Sequence, residues 1–185
     1  WNSTTQDYYF ATFYPQQPDL NWDNPEVMNA MIAYMRYWCK IGVDGFRLDA
    51  APYLIKREHT PSKGLPETHT VIKKIRAELA PHYPEVILLA EAHLPIEDTK
   101  KYFGDGDECH MVYHFSLMEQ MWLALMRGNT AQVGQIAQDT FDIPFNCQWA
   151  TFLRNHDEIS LTTLAPKDRA ELVQWLDPHN QYAFK

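Results

Sequence analysis

The run Val86-Ile87-Leu88-Leu89-Ala90 constrains the fold of this chain more than any other feature. Every position is apolar, so a strand here is apolar on both faces. Only a sheet covered on both sides accommodates that, which points to a buried parallel strand. Parallel neighbours need long crossovers, usually helical, and the flanking sequence supplies them. Asn24-Pro25 opens a helix, with Asn as N-cap, Pro at the first position and Glu26 in the first turn. Val27, Met31, Tyr34, Met35 and Trp38 recur at helical spacing to about Ile41, and Gly42 ends the helix. Residues 43–50 read as a strand. Residues 51–67 read as a loop holding Pro52, Pro61 and Pro66, and 69–79 as an amphipathic helix with Val71, Ile72, Ile75 and Leu79 on one face.

After the strand at 85–92 come a short helix at 95–103, a strand at 109–115, helices at 117–127 and 130–138, and a strand at 149–153. The tail at 159–185 reads as a loop with a helical piece at 167–175. Strands alternating with helices predict an α/β fold, a parallel sheet with helices outside it. Four such strands do not close an eight-stranded barrel, which takes about 250 residues. Residues 1–24, rich in aromatics, Gln, Pro and Asn, read as loop and turn. Tyr8-Tyr9-Phe10 and Phe13-Tyr14 are expected to pack beneath a loop, with pocket lining as the alternative.

Composition excludes several classes. Sixteen Lys and Arg against 24 Asp and Glu give a net charge of −8, which disfavours nucleic acid or an anionic membrane as partner. Mean hydropathy is −0.44, and no apolar run approaches the roughly 18 residues of a membrane span. Cys39, Cys109 and Cys147 are an odd number at no metal-like spacing, as expected of free thiols in a reducing compartment and hence a cytoplasmic protein. His110 and His114 fall two pleats apart on one strand with no neighbouring ligand set, so no zinc site is expected. A first residue Trp1, and a last residue Lys185 with no closing element, read as an excerpt of a longer chain.

Three strands end in acids: Asp49 after Phe46-Arg47-Leu48, Glu91 after Leu88-Leu89-Ala90, and Asp157 just past Phe152-Leu153. A carboxylate at the end of an apolar strand is costly to bury. In a parallel α/β layout all three belong at the mouth formed by the C-terminal strand ends. Any one Asp could instead cap a helix or tie a loop, but Glu caps poorly, and three acids in register with Arg47 and His156 are harder to explain that way. Arg47, two residues before Asp49, shares its face on a strand and favours an ionised carboxylate there. Paired carboxylates suit glycosidic bond chemistry, one attacking the anomeric carbon and the other protonating the leaving oxygen. Asp49 beside Arg47 is the better nucleophile. Glu91 is the better acid, because desolvation penalises its charged form. Asp157 with His156 would bind sugar hydroxyls and stabilise transition-state charge.

Gly45-Phe46-Arg47-Leu48-Asp49-Ala50, Ala90-Glu91-Ala92 and Arg154-Asn155-His156-Asp157-Glu158 resemble three catalytic blocks of the α-amylase superfamily, glycoside hydrolase family 13. Gln17-Pro18-Asp19-Leu20-Asn21 resembles a further block of its α-glucosidase-like branch. Ala51-Pro52-Tyr53-Leu54, Arg57-Glu58, Leu65-Pro66-Glu67-Thr68-His69, Tyr102-Phe103-Gly104 and Cys109-His110-Met111 resemble the trehalose synthase branch. The resemblance implies that residues 1–185 are part of a TIM (β/α)8-barrel catalytic domain, about four parallel βα units corresponding to its fourth to seventh strands. It implies Asp49 as nucleophile, Glu91 as acid/base, Asp157 as transition-state stabiliser, and Arg47 and His156 as substrate contacts. The implied substrate is a small α-linked disaccharide, maltose or trehalose, isomerised by cutting and rejoining an α-glucoside. A plain hydrolase and a non-catalytic carbohydrate-binding relative are the alternatives. No cofactor is required for the chemistry. Asp19, Glu58 and the carbonyls of Tyr53 and Leu54 resemble the oxygens that hold a structural Ca²⁺ in this branch, and hard oxygen donors suit that ion. The branch's pattern differs at His59 and at His93, where His93 is either a sugar contact or an exposed loop histidine. The family's upstream Asp and His block is missing, so these residues alone are expected to be inactive and to bury their open edges against another copy or by closing on themselves.

Overall fold

The computed structural model describes residues 1–157 and 159–182. Four short strands form one parallel sheet in chain order: β1 (Gly45–Leu48), β2 (Ile87–Ala90), β3 (Met111–Tyr113) and β4 (Gln148–Ala150). Between and around them lie α1 (Pro25–Ile41), α2 (Pro66–Leu79), the short α3 (Ile96–Lys100), α4 (Phe115–Arg127), α5 (Ala131–Asp139) and α6 (Pro166–Leu176). This is the α/β alternation expected, and every neighbouring pair of strands is parallel. Among the described residues no helix is long and apolar enough to cross a membrane.

Local chemistry accounts for the helix ends. The Asn24 side chain accepts a hydrogen bond from the Glu26 N–H at the start of α1, and Gly42, at φ +102°, ends it in the left-handed conformation. That conformation costs glycine little, because it has no Cβ. α2 starts at Pro66, inside the segment read from sequence as loop. Its proline occupies the first helical position, where the missing N–H is no loss. The residue preceding α4 is His114, whose Nδ1 accepts from the Leu117 N–H at 3.2 Å.

β4 is shorter than expected, ending at Ala150 rather than 153. It lies at the sheet edge and pairs only with the three residues of β3. The last rung is His114 N–H donating to the Ala150 carbonyl, after which the neighbouring chain has already turned into α4. Leu153 then leaves the sheet, its carbonyl accepting from Trp122 Nε1 at 2.6 Å.

The core lies between the sheet and α1, α2 and the turn after α3. Ile32 and Met35 of α1, Ile72 and Ile75 of α2, Leu88, Ala90, Val112, Tyr102 and Phe103 are buried in one cluster. At about 1.5–3 kcal/mol per fully buried large apolar side chain, this cluster holds the strand ends in place. A second cluster, Leu123, Leu161, Leu164 and Leu172, packs α4 and α6 around the segment after the fourth strand. Gly45 carries a packing constraint: a Cβ there would lie 2.7 Å from the Ile87 carbonyl oxygen, so only glycine lets β1 and β2 approach this closely. The N-terminal aromatics depart from expectation. Tyr8, Phe10, Phe13 and Tyr14 are exposed rather than packed beneath a loop, although Phe13 meets Tyr53 edge-on.

Candidate active site

Parallel register delivers the first two acids side by side. Leu48 and Ala90 are the final paired residues of β1 and β2, so Asp49 and Glu91 leave the sheet together. Backbone bonds continue past the strands: Glu91 N–H donates to the Leu48 carbonyl at 3.1 Å, and Ala51 N–H to the Glu91 carbonyl at 3.2 Å. Ala50, at φ +46°, takes the left-handed conformation and turns the chain into the 3₁₀ turn Ala51–Tyr53. A non-glycine residue there stores about 1 kcal/mol or more, and the turn aims the Ala50 N–H at Glu91 Oε2, 3.4 Å away.

Arg47 joins the two acids. Its Nη1 lies 2.6 Å from Asp49 Oδ1 and its Nη2 2.5 Å from Glu91 Oε2. Sequence reading paired this guanidinium with Asp49 alone, whereas the structure places it across both. Burial works to lower the Arg47 pKa, but its hydrogen bonds to Asp49 and Glu91 outweigh burial and raise it above the ordinary guanidinium value. The carboxylates differ in exposure: the Asp49 side chain is 73% exposed and that of Glu91 15%.

Asp157 and His156 lie on the connection beyond β4. His156 Nε2 is 3.2 Å from Asp157 Oδ1, and Asp157 N–H donates to Asn155 Oδ1 at 3.0 Å. Both side chains are about two-thirds exposed. The structure pairs them with each other and does not bring them into contact with the Arg47 bridge. Glu158, the last residue of that block, lies outside the described residues.

His93, singled out from sequence, and Glu119, which was not, hold the segment that follows. His93, two residues past Glu91, is half-buried rather than an exposed loop histidine. Its Nδ1 is 3.0 Å from Ser160 Oγ, its Nε2 3.0 Å from Thr162 Oγ1, and its ring stacks on Phe115 at 4.3 Å. Burial, with Lys63 nearby, lowers its pKa to about 4, so it is neutral at pH 7. Beneath it Glu119 is wholly buried on α4 and accepts from Thr163 through both backbone N–H and hydroxyl. Burial raises the Glu119 carboxyl pKa, while the Thr163 bonds oppose that rise. One signal was available in the sequence: Glu119 falls on the apolar stripe of α4 with Phe115, Met118 and Leu123. A buried acid needs partners, and those partners come from residues 160–163.

The oxygens expected to hold calcium do not gather around a metal. Asp19 Oδ2 is 2.7 Å from Lys56 Nζ, and the same ammonium donates to the Tyr53 carbonyl. Glu58 lies exposed on the following turn. Among the described residues no group of three or more His, Cys, Asp and Glu converges as a metal cage. Asp19, Tyr53, Leu54 and Glu58 therefore do not fit a calcium ion as arranged here.

The comparisons with known proteins agree with the fold. The alpha-amylase catalytic-domain family model matches residues 1–183, and the chain belongs to that family. Trehalose synthase/amylase TreS of Mycolicibacterium smegmatis is 45% identical over 168 residues, 89% of this chain and 28% of the relative. Trehalose synthase of Pimelobacter sp. is 42% identical over 178 residues, 91% of this chain and 31% of the relative. The crystal structure of alpha-amylase from H. orenii superposes with a TM-score of 0.70 at 29% identity, covering 81% of this chain and 30% of that one. The chain thus spans less than a third of the length of the relatives it matches.

Proposed function

We propose that the protein containing these residues is a retaining α-glucoside transferase that interconverts maltose and trehalose through a covalent glucosyl-enzyme. The observation that carries this reading is the Arg47 bridge, which sets Asp49 and Glu91 side by side at the ends of β1 and β2. The identity to two trehalose synthases supports the choice of substrate. Asp49 attacks the anomeric carbon as the bond to the leaving oxygen breaks, and Glu91 gives that oxygen its proton. Glu91 then takes a proton from the incoming hydroxyl, whose oxygen displaces Asp49 and restores the original configuration. Arg47 holds both carboxylates in place through its two guanidinium nitrogens. Asp157, with His156, stabilises the positive charge on the sugar.

A second reading, net hydrolysis, is favoured by the Mycolicibacterium smegmatis relative being a trehalose synthase/amylase and by the exposure of Asp49. It differs only in letting water meet the glucosyl-enzyme. The three buried free thiols support a cytoplasmic setting. The outer edges of β1 and β4, unpaired among the described residues, support pairing with further strands of a barrel or with another copy. The test is to assay the full-length protein on maltose, resolving trehalose from glucose. Asp49→Asn should abolish turnover of maltose and of α-glucosyl fluoride alike. Glu91→Gln should lose about 10²–10⁴-fold on maltose but much less on the fluoride, whose leaving group needs no proton. Equal losses on both substrates would refute the division of roles.

A further inference from the structure

We infer that Lys56 is an internal cation that performs the structural work of a divalent metal, holding the N-terminal loop to the turn after β1 without calcium. The inference rests on the contacts of Lys56 and the neighbouring Arg57 and is independent of the proposed activity.

An ammonium has three N–H donors and no acceptor. The Lys56 ammonium meets Asp19 Oδ2 at 2.7 Å, the Tyr53 carbonyl, and the face of the Phe10 ring at 5.3 Å from its centroid. Those three contacts come from two separated pieces of chain. Asp19 and Phe10 belong to the N-terminal loop, where Asp19 N–H also donates to the Phe10 carbonyl at 2.9 Å. Tyr53 ends the 3₁₀ turn that follows Asp49 and Ala50. The cation is shielded: the Lys56 and Asp19 side chains are 18% and 17% exposed.

Asp19 is fully engaged. Thr12 N–H donates to Oδ1 at 3.2 Å, and Thr12 Oγ1 and Lys56 both donate to Oδ2. Burial pushes the Asp19 pKa up, but the bonds from Lys56 and Thr12 outweigh it and hold the carboxyl below its ordinary value. A calcium ion needs six to eight oxygens at about 2.3–2.6 Å. Here one carboxylate is saturated, one carbonyl is occupied and a positive charge already stands between them, so a divalent ion would meet repulsion rather than a vacant cage. Arg57 supplies a second tie from the same segment, bidentate to Asp23 at 2.8 and 2.9 Å and reaching Glu67 of α2 at 3.1 Å. Adjacent cations thus staple residues 1–24 to the turn behind the nucleophile candidate.

The experiment uses the full-length protein, stripped with chelator, with calcium chloride as the probe. Thermal and urea midpoints and titration calorimetry are recorded with chelator and with millimolar calcium. The wild type should show no saturable heat and no midpoint shift. Lys56→Met should lower the folding equilibrium constant by roughly 10- to 100-fold, the size of a shielded charge-assisted bond, and calcium should not restore it. Lys56→Glu removes the ammonium and adds a carboxylate beside Asp19, so its midpoint should fall with chelator and rise with calcium. Should that variant fail to fold, Asp19→Asn and Asp19→Asn/Lys56→Met decide: the double variant should be no less stable than either single one. Calcium-dependent stabilisation of the wild type, an unchanged Lys56→Met midpoint, or additive losses in the double variant would each overturn the inference.

Discussion

Lowering the pH from 7 to 5 should destabilise this protein in part through His114, and His114→Asn should remove that part of the loss. The His114 side chain is 2% exposed. Its Nδ1 accepts from Leu117 N–H, leaving the proton on Nε2 to be donated to Thr140 Oγ1 at 2.9 Å, and its ring lies 4.3 Å from that of Trp149. A second proton would face the Leu117 N–H with a donor. Burial, opposed only by a backbone hydrogen bond of its own, accordingly lowers the pKa from 6.5 to about 4. The sign follows from linkage. The unfolded chain binds the proton near pH 6.5 and the folded one refuses it until about 4, so this stability is present above 6.5 and is lost as pH falls toward 4. Between pH 7 and pH 5 the loss is about 2 kcal/mol, roughly 20-fold in the folding equilibrium. His93, also lowered to about 4, adds a similar but smaller loss because it is partly exposed. Glu119, raised by burial, offsets part of it; these contributions and that of His110, lowered to about 4 by burial with Arg76 nearby, are common to wild type and variant. Asparagine keeps an acceptor for the Leu117 N–H and does not titrate. Urea unfolding at the two pH values, followed by tryptophan emission, measures the difference. At pH 7 His114→Asn should be about 1–2 kcal/mol less stable from lost packing, yet its further loss at pH 5 should be smaller by about 2 kcal/mol. An identical pH-dependent loss in both proteins would refute the assignment of a neutral, capping His114.

Two further outcomes are expected. The Tyr102 side chain is wholly buried and its hydroxyl has no hydrogen-bond partner among the described residues, so Tyr102→Phe should raise stability by about 1 kcal/mol, measured as a higher urea midpoint; a lower midpoint would mean the hydroxyl has a partner. Glu119→Leu leaves the Thr163 N–H and hydroxyl without their acceptor and should speed amide exchange across 159–164 by on the order of tenfold or more, while amides of β2 exchange as before. Uniform acceleration across both segments would instead indicate global destabilisation.

Much of this arrangement was legible without coordinates because local rules decided it. The wholly apolar strand at 86–90 demanded a sheet covered on both faces, Asn24-Pro25 and Gly42 marked the ends of α1, and Asp49 and Glu91 stood where apolar runs stop. Those features depend on side-chain periodicity and capping within a few residues, which a sequence carries in full. The start of α2 at Pro66 was also written there, in a proline suited to the first helical position, but the surrounding prolines read equally well as a loop. What tertiary structure alone decided are the contacts between distant segments. The short β3 limits β4 to three residues, because an edge strand extends only as far as its partner. The register of Leu48 with Ala90 lets one guanidinium reach both carboxylates, which no spacing along the chain specifies. His93 and Glu119 acquire their buried roles from Ser160, Thr162 and Thr163, and Lys56 takes a cation's position only because Asp19 and Tyr53 are folded onto it. For His93, Glu119 and Lys56 the deciding quantity is the desolvation of a polar or charged group, and that is set by which remote atoms surround it.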